Sequence, residues 1–219
     1  MRNGRGLFIS FEGTEGSGKS TQMRILIERL RAEGVSVVEN QEPGGTAIGK
    51  EIRRILLDPA NFEMAPVTEL LLVFSSRAQS AAQVIWPALK RGDTVVSDRF
   101  TDSTLAYQGE ARGLGFDLVL QTHRLALNSL FPDLTICIDI EIREGLARAH
   151  RRNQRSVTED RLDLQSLPFH EHVREGYRKI GQLEPERFRI IDGSGSITTV
   201  ADRVWDEVNR LLARTRERQ

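Results

Sequence analysis

Gly13-Thr14-Glu15-Gly16-Ser17-Gly18-Lys19-Ser20 fits the pattern G-x-x-x-x-G-K-[ST], the spacing of a phosphate-binding P-loop. Gly13, Gly16 and Gly18 let the backbone take positive φ and approach a ligand closely. Successive N–H groups then point into an anion-binding concavity. Lys19 adds a charge for the β- and γ-phosphates, and the Ser20 hydroxyl is the candidate ligand for Mg²⁺. Upstream, residues 7–11 (Leu-Phe-Ile-Ser-Phe) read as a buried strand. Downstream, residues 21–32, opening with Thr21, read as a helix with Ile25, Leu26 and Leu30 at helical spacing. The loop therefore feeds a helix N-terminus, whose dipole also favours phosphate. A chance glycine-rich turn would lack this strand-loop-helix context. The motif indicates a nucleoside triphosphate, not a reaction.

The chain has 219 residues, enough for one α/β domain with a real core. Lys+Arg and Asp+Glu are both 31, so no net charge draws it to nucleic acid or membrane. Its one cysteine, Cys137, sits in the apolar run Thr135-Ile136-Cys137-Ile138 and reads as a core residue, not a nucleophile. No apolar stretch approaches a membrane span, and no signal-peptide apolar region follows the N-terminal arginines. The expectation is a soluble cytoplasmic protein.

Residues 35–38, 94–97, 134–140 and 188–191 read as further strands. Helices are expected at 47–57, 68–91, 117–128, 143–151, 164–183 and 197–212, with Pro87 able to kink or divide the second of these. A glycine-containing loop (Gly109, Gly113, Gly115) follows a short segment near Tyr107. Strand and helix alternate, so the class is α/β with a parallel sheet. Ligands of such sheets lie at the carboxyl ends of the strands. The P-loop, the 41–46 loop and Asp98-Arg99 all follow strands and so converge on one crevice.

Glu42-Pro43-Gly44-Gly45-Thr46 reads as a substrate loop, with Arg53 in the next helix, or else as an ordinary turn. Asp98-Arg99 facing a P-loop suits phosphoryl transfer, because a guanidinium offers a planar fork to phosphate oxygens; a structural ion pair is the alternative. Arg148, Arg151, Arg152, Arg155 and Arg161 surround the most polar internal stretch. They read as a flap closing over a nucleotide or as a solvated face. Arg77 ends an apolar helical run and could reach a base edge. His123, His150, His170 and His172 show no metal-ligand spacing and are assigned to surface or helix positions. There is no N-K-x-D guanine motif, and no basic-aromatic interleaving suggests nucleic acid.

Together these pieces resemble the thymidylate kinase (dTMP kinase) family, in its bacterial form with lid arginines. The resemblance spans nearly the whole chain. It rests on Phe11-Glu12-Gly13 with the P-loop, Glu42-Pro43-Gly44-Gly45-Thr46, Asp98-Arg99-Phe100 with Ala106-Tyr107-Gln108-Gly109, Phe131-Pro132-Asp133-Leu134-Thr135, and Phe169-His170 through Tyr177. It implies a P-loop nucleoside-monophosphate kinase-like three-layer α/β sandwich with a five-stranded parallel sheet. One domain, 1–219, would carry a lid at about 148–162. It also implies γ-phosphoryl transfer from ATP to dTMP with Mg²⁺, and a homodimer. By position, Lys19 would hold the donor phosphates and Arg99, helped by Arg53, the acceptor phosphate. Glu15 would lie on the sugar 3′-OH side, and Arg77 and Thr104 would read the thymine edge. Tyr107 would exclude a ribose 2′-OH, and Glu42, Pro43, Asp98 and Gln108 would complete the acceptor site.

Two family features are informative. Some members carry an arginine directly after the P-loop acid; here that position is Gly16. The missing charge would come from the flap, with Arg155 favoured and Arg151 and Arg152 as alternatives. The family's base-stacking aromatic falls at Val73, whereas this chain has Phe74 one position later. Neighbouring helix positions differ by about 100° in direction. A kinase for dUMP or UMP, or a non-catalytic P-loop ATP-binding module, are the competing readings.

Overall fold

Phe8-Ile9-Ser10-Phe11 is buried at every position because it lies in the middle strand of a sheet covered on both faces. The computed structural model describes residues 5–153 and 161–216. Five strands, β1 (Phe8–Gly13), β2 (Val37–Gln41), β3 (Thr94–Asp98), β4 (Leu134–Asp139) and β5 (Phe188–Asp192), form one parallel sheet in the order β2-β3-β1-β4-β5. Around it lie α1 (Lys19–Ala32), α2 (Ala47–Leu57), α3 (Pro66–Ser80), α4 (Trp86–Arg91), α5 (Thr101–Thr104), α6 (Phe116–Leu127), α7 (Ile142–Asn153), α8 (Leu167–Leu183) and α9 (Ile197–Arg216).

Side chains alternate between faces along each strand. Ile9, Phe11, Val96, Ile136 and Ile138 pack under α1 and α9, against Leu26, Leu30, Val204 and Val208. Phe8, Val95 and Cys137 face the other way, against Leu70 and Phe74 of α3, Val119 of α6, and Val173 and Tyr177 of α8. This is the expected three-layer sandwich.

Several boundaries differ from the sequence reading. β2 is not 35–38 but Val37–Gln41. Gly34 (φ 79°) closes α1, and the Val35 amide still donates to the Leu30 carbonyl. The polar Asn40 and Gln41 are held in the strand by their register with Ser97 and Asp98 rather than by apolar pattern. The long helix keeps right-handed helical backbone angles throughout but passes through a π-helical stretch, Ala81–Ile85, just before Pro87. A wide turn suits a proline, which lacks an N–H and clashes with the preceding turn. A second π-helical stretch, Leu105–Ala111, continues α5. Gly109 is therefore helical, not part of a loop. α8 starts at Leu167, with Pro168 in its first turn, rather than at Leu164.

Candidate active site

β1, β2 and β3 deliver their ends to one place. The Arg99 amide donates to the Phe11 carbonyl (2.9 Å), and the Glu42 amide to the Asp98 carbonyl (2.9 Å). The P-loop, the Glu42–Gly45 turn and the Asp98-Arg99 corner thus border one cavity of about 560 Å³. Glu15, Gly16, Ser17, Gly18, Lys19, Ser20 and Thr21 line it on the P-loop side. Glu42, Pro43, Arg53, Asp98, Arg99, Thr104, Tyr107 and Gln108 are among the residues that line the remainder. Among the described residues, no helix is long and apolar enough to cross a membrane.

Gly18 (φ 93°) caps α1 in the left-handed region, which aims the first helical amides into the cavity. Gly16 (φ 69°) has a steric reason as well: a Cβ there would lie 2.0 Å from the Gly145 carbonyl oxygen. Helix α7 therefore packs directly on the P-loop, glycine against backbone, and no arginine fits at position 16. Gly13 and Thr14 lie behind the loop, outside the main cavity wall; Thr14 is 3% exposed.

Lys19 Nζ lies 3.3 Å from Asp98 Oδ1, and the Ser20 hydroxyl donates to Asp98 Oδ2 at 3.2 Å. Burial pushes the Asp98 carboxyl up, but the charges of Lys19 and Arg99 bring it below the usual carboxylate value. A hydroxyl beside an ionised carboxylate is the sparse, hard-oxygen donor set that suits Mg²⁺ shared with phosphate and water. Among the described residues no trio of His, Cys, Asp or Glu forms a metal-holding group. The chain would thus supply few ligands itself.

Arg99 has φ 72°, uncommon for a residue with a side chain. Its Nη1 donates to the hydroxyls of Ser103 (2.9 Å) and Tyr177 (3.1 Å), and its Nη2 to that of Tyr107 (3.2 Å). Burial pushes the Tyr107 phenol up to about 12, so it keeps its proton at neutral pH. Arg53 donates to the Pro43 carbonyl at 3.0 Å. Helix α5 is pinned from below: Asp102 accepts two bonds from Arg187, at 2.7 and 2.9 Å.

Phe74 does not line the cavity; it is 3% exposed in the core, ring-to-ring with His123. Val73 lines the cavity instead. The step of about 100° between adjacent helix positions turns one outward and the other inward. Arg77 also lies behind the wall, 2% exposed, bonded to Glu42 (2.5 Å), Thr104 (2.8 Å) and the Phe100 carbonyl (3.0 Å).

The flap reading divides. Arg155 lies outside the described residues with the rest of 154–160, and so does the side chain of the alternative, Arg152. Arg161 is not a flap cation: it is 1% exposed, paired with Glu69, and its Nε donates to the Leu56 carbonyl at 2.8 Å. Glu69 also accepts from Gln108 (2.7 Å) and Arg112, so three donors compensate one buried carboxylate. Arg148 does line the cavity, near the P-loop, and is paired with Glu144. Arg151 is exposed and bonded to the Ala147 carbonyl. His123 and His170 are on helices but buried, not at the surface.

The sequence reading missed Glu12 and Ser103. Glu12 left a signal: a lone carboxylate inside a strand buried at all positions is rare without a purpose. Ser103 left none.

The thymidylate kinase family model matches residues 11–204. Thymidylate kinase from Pelobacter propionicus is 48% identical over 210 residues, covering 94% of this chain and 96% of that one. Thymidylate kinase from Geobacter sulfurreducens is 49% identical over 212 residues, covering 95% and 100%. The crystal structure of thymidylate kinase from Ehrlichia chaffeensis superposes with a TM-score of 0.74 at 30% identity, covering 94% of this chain and 99% of that one. With this fold, this P-loop and these relatives, the chain belongs to the thymidylate kinase family.

Proposed function

We infer that the chain is an ATP:dTMP phosphotransferase that moves the γ-phosphoryl group of ATP onto the 5′-phosphate of dTMP, giving dTDP and ADP. One observation carries this reading. A P-loop lysine and a strand-end arginine, Lys19 and Arg99, line one cavity whose wall also holds Tyr107, Thr104 and Gln108. In such a transfer the protein mostly positions the groups and balances their charge. Lys19 and the loop amides bind the donor phosphates. Arg99 and Arg53 orient the acceptor phosphate. Glu15 faces the sugar, and Tyr107 occupies the space a 2′-OH would need. Thr104 accepts from Arg77 and so has its own proton to offer a base carbonyl. Ser20 and Asp98 would hold Mg²⁺, which would supply positive charge against the phosphates.

Among the described flap arginines Arg148 lines the cavity, and Arg155 remains the candidate beyond them. The homodimer is supported by large apolar side chains left exposed on α2 and α3: Ile48, Ile55, Val67 and Leu71. These two helices pack side by side, and covering such a face is what an interface does. A free, buried Cys137 fits a reducing compartment, the cytoplasm.

γ-Labelled ATP with dTMP and Mg²⁺ tests the reaction. The label is expected in dTDP. Label recovered only as inorganic phosphate would contradict the reading.

A further inference from the structure

Glu12 is fully buried, the only acidic side chain of β1. Its Oε1 accepts the Phe100 amide at 2.8 Å. Its Oε2 accepts the Ser103 hydroxyl and, at 3.1 Å, the Tyr177 hydroxyl. These same two hydroxyls accept Arg99 Nη1. We propose that Glu12 is a positioning residue for the acceptor phosphate: through Ser103, Tyr177 and the Phe100 amide it fixes both the guanidinium and the left-handed backbone of Arg99. The inference rests on the reading of Arg99 as the acceptor-phosphate ligand.

Two features support it. The peptide groups on both sides of Arg99 are tied to β1, its own amide to the Phe11 carbonyl and the next amide to Glu12. A strained φ persists only where its surroundings over-determine it, and these bonds do so. Once ionised, above the value of about 7 to which burial raises it, the carboxylate also sets hydroxyl polarity. Each hydroxyl has one proton; given to Glu12, it leaves lone pairs facing Arg99. An amide at position 12 would offer N–H protons to the hydroxyls and compete with Arg99 for those lone pairs. Glu12 itself stays out of the cavity wall, so it acts through Arg99.

The test is calorimetric titration of dTMP in the absence of ATP, for wild type, Glu12→Gln, Tyr177→Phe, Arg99→Lys and the Glu12→Gln/Tyr177→Phe double variant, with ATP affinity and melting temperature measured alongside. Glu12→Gln and Tyr177→Phe are expected to weaken dTMP binding roughly tenfold or more, the scale of a lost charge-linked hydrogen bond. ATP affinity should stay within about twofold, and the double variant should be little worse than Glu12→Gln alone, because both break one relay. A purely structural role would instead lower the melting temperature and leave dTMP affinity intact. If Arg99→Lys weakens dTMP while Glu12→Gln and Tyr177→Phe do not, the inference is overturned and the Arg99 reading survives. If Arg99→Lys changes nothing, both fall. Should Glu12→Gln fail to fold, Tyr177→Phe decides, since it leaves Glu12 in place.

Discussion

Arg77 is tied to Glu42 by a 2.5 Å ion pair in which the two side chains are 2% and 1% exposed. Every nitrogen of the guanidinium is used, with Thr104 and the Phe100 carbonyl taking the other two. Removing Arg77 would strand the Glu42 carboxylate in a dry setting. Arg77→Ala is therefore expected to lower stability by about 3–5 kcal/mol, the usual cost of breaking a buried pair from one side. Urea unfolding measures it, and a loss below 1 kcal/mol would mean the pair opens readily to water.

Phe74 and Val73 separate core from cavity by one residue. Phe74→Ala removes a buried ring and should cost about 3–5 kcal/mol of stability, with little change in KM for dTMP. Val73→Ala should do the reverse, shifting KM for dTMP with a small stability loss. The opposite assignment of the two effects would put Phe74 at the base after all.

Gly145 allows α7 to sit on the P-loop. A Cβ at this position would lie 2.5 Å from the Glu15 carbonyl oxygen. Gly145→Ala must push the loop or the helix aside, at about 1–3 kcal/mol for overpacking. We expect KM for ATP to rise more than KM for dTMP, since the amides of the displaced loop are read as ATP-phosphate ligands and Glu15 alone of the loop as a dTMP contact. No shift in either, read from initial rates, would argue that the helix moves and the loop does not.

Two buried groups give opposite pH slopes. Burial, reinforced by Asp102, raises the Glu12 carboxyl from 4.5 to about 7. The folded state holds that proton more tightly, so this contribution is full below 4.5 and lost as pH rises through 7. Burial, with Arg77 nearby, lowers His123 from 6.5 to about 4. Its contribution is full above 6.5 and lost as pH falls through 4. At 1.36 kcal/mol per unit each is about 3 kcal/mol, and the two oppose one another over the same range. Glu12→Gln should expose a stability that falls as pH drops from 6.5 to 4. His123→Asn should expose one that falls as pH rises from 4.5 to 7. Urea midpoints across pH that track wild type in both variants would refute the pair of assignments.

The parallel sheet and the P-loop were legible because their signals are local. Glycine spacing, an apolar strand and a 3.6-residue period all lie between Leu7 and Ala32. Asp98-Arg99 was legible by its place after a strand. What stayed hidden depends on contacts distant in sequence. Nothing near Arg161 marks it as the partner of Glu69, and its arginine-rich surroundings suggested a flap or a solvated face. The π-helical turns at Ala81–Ile85 and Leu105–Ala111 carry no periodic signature. The inward turn of Phe74 needed the helix phase to within one residue, which sequence pattern does not supply. Glu12 was visible as an anomaly, but its partners Ser103 and Tyr177 come from two other helices.

The central claim is most directly tested by initial rates of ADP release from Mg·ATP with dTMP, dUMP, UMP, CMP, AMP and GMP in parallel. A strong preference for dTMP is predicted, from base reading at Thr104 and exclusion of a 2′-OH at Tyr107. Preference for UMP would keep the kinase and overturn those two roles, and silence on all six with ATP still bound would contradict the kinase itself.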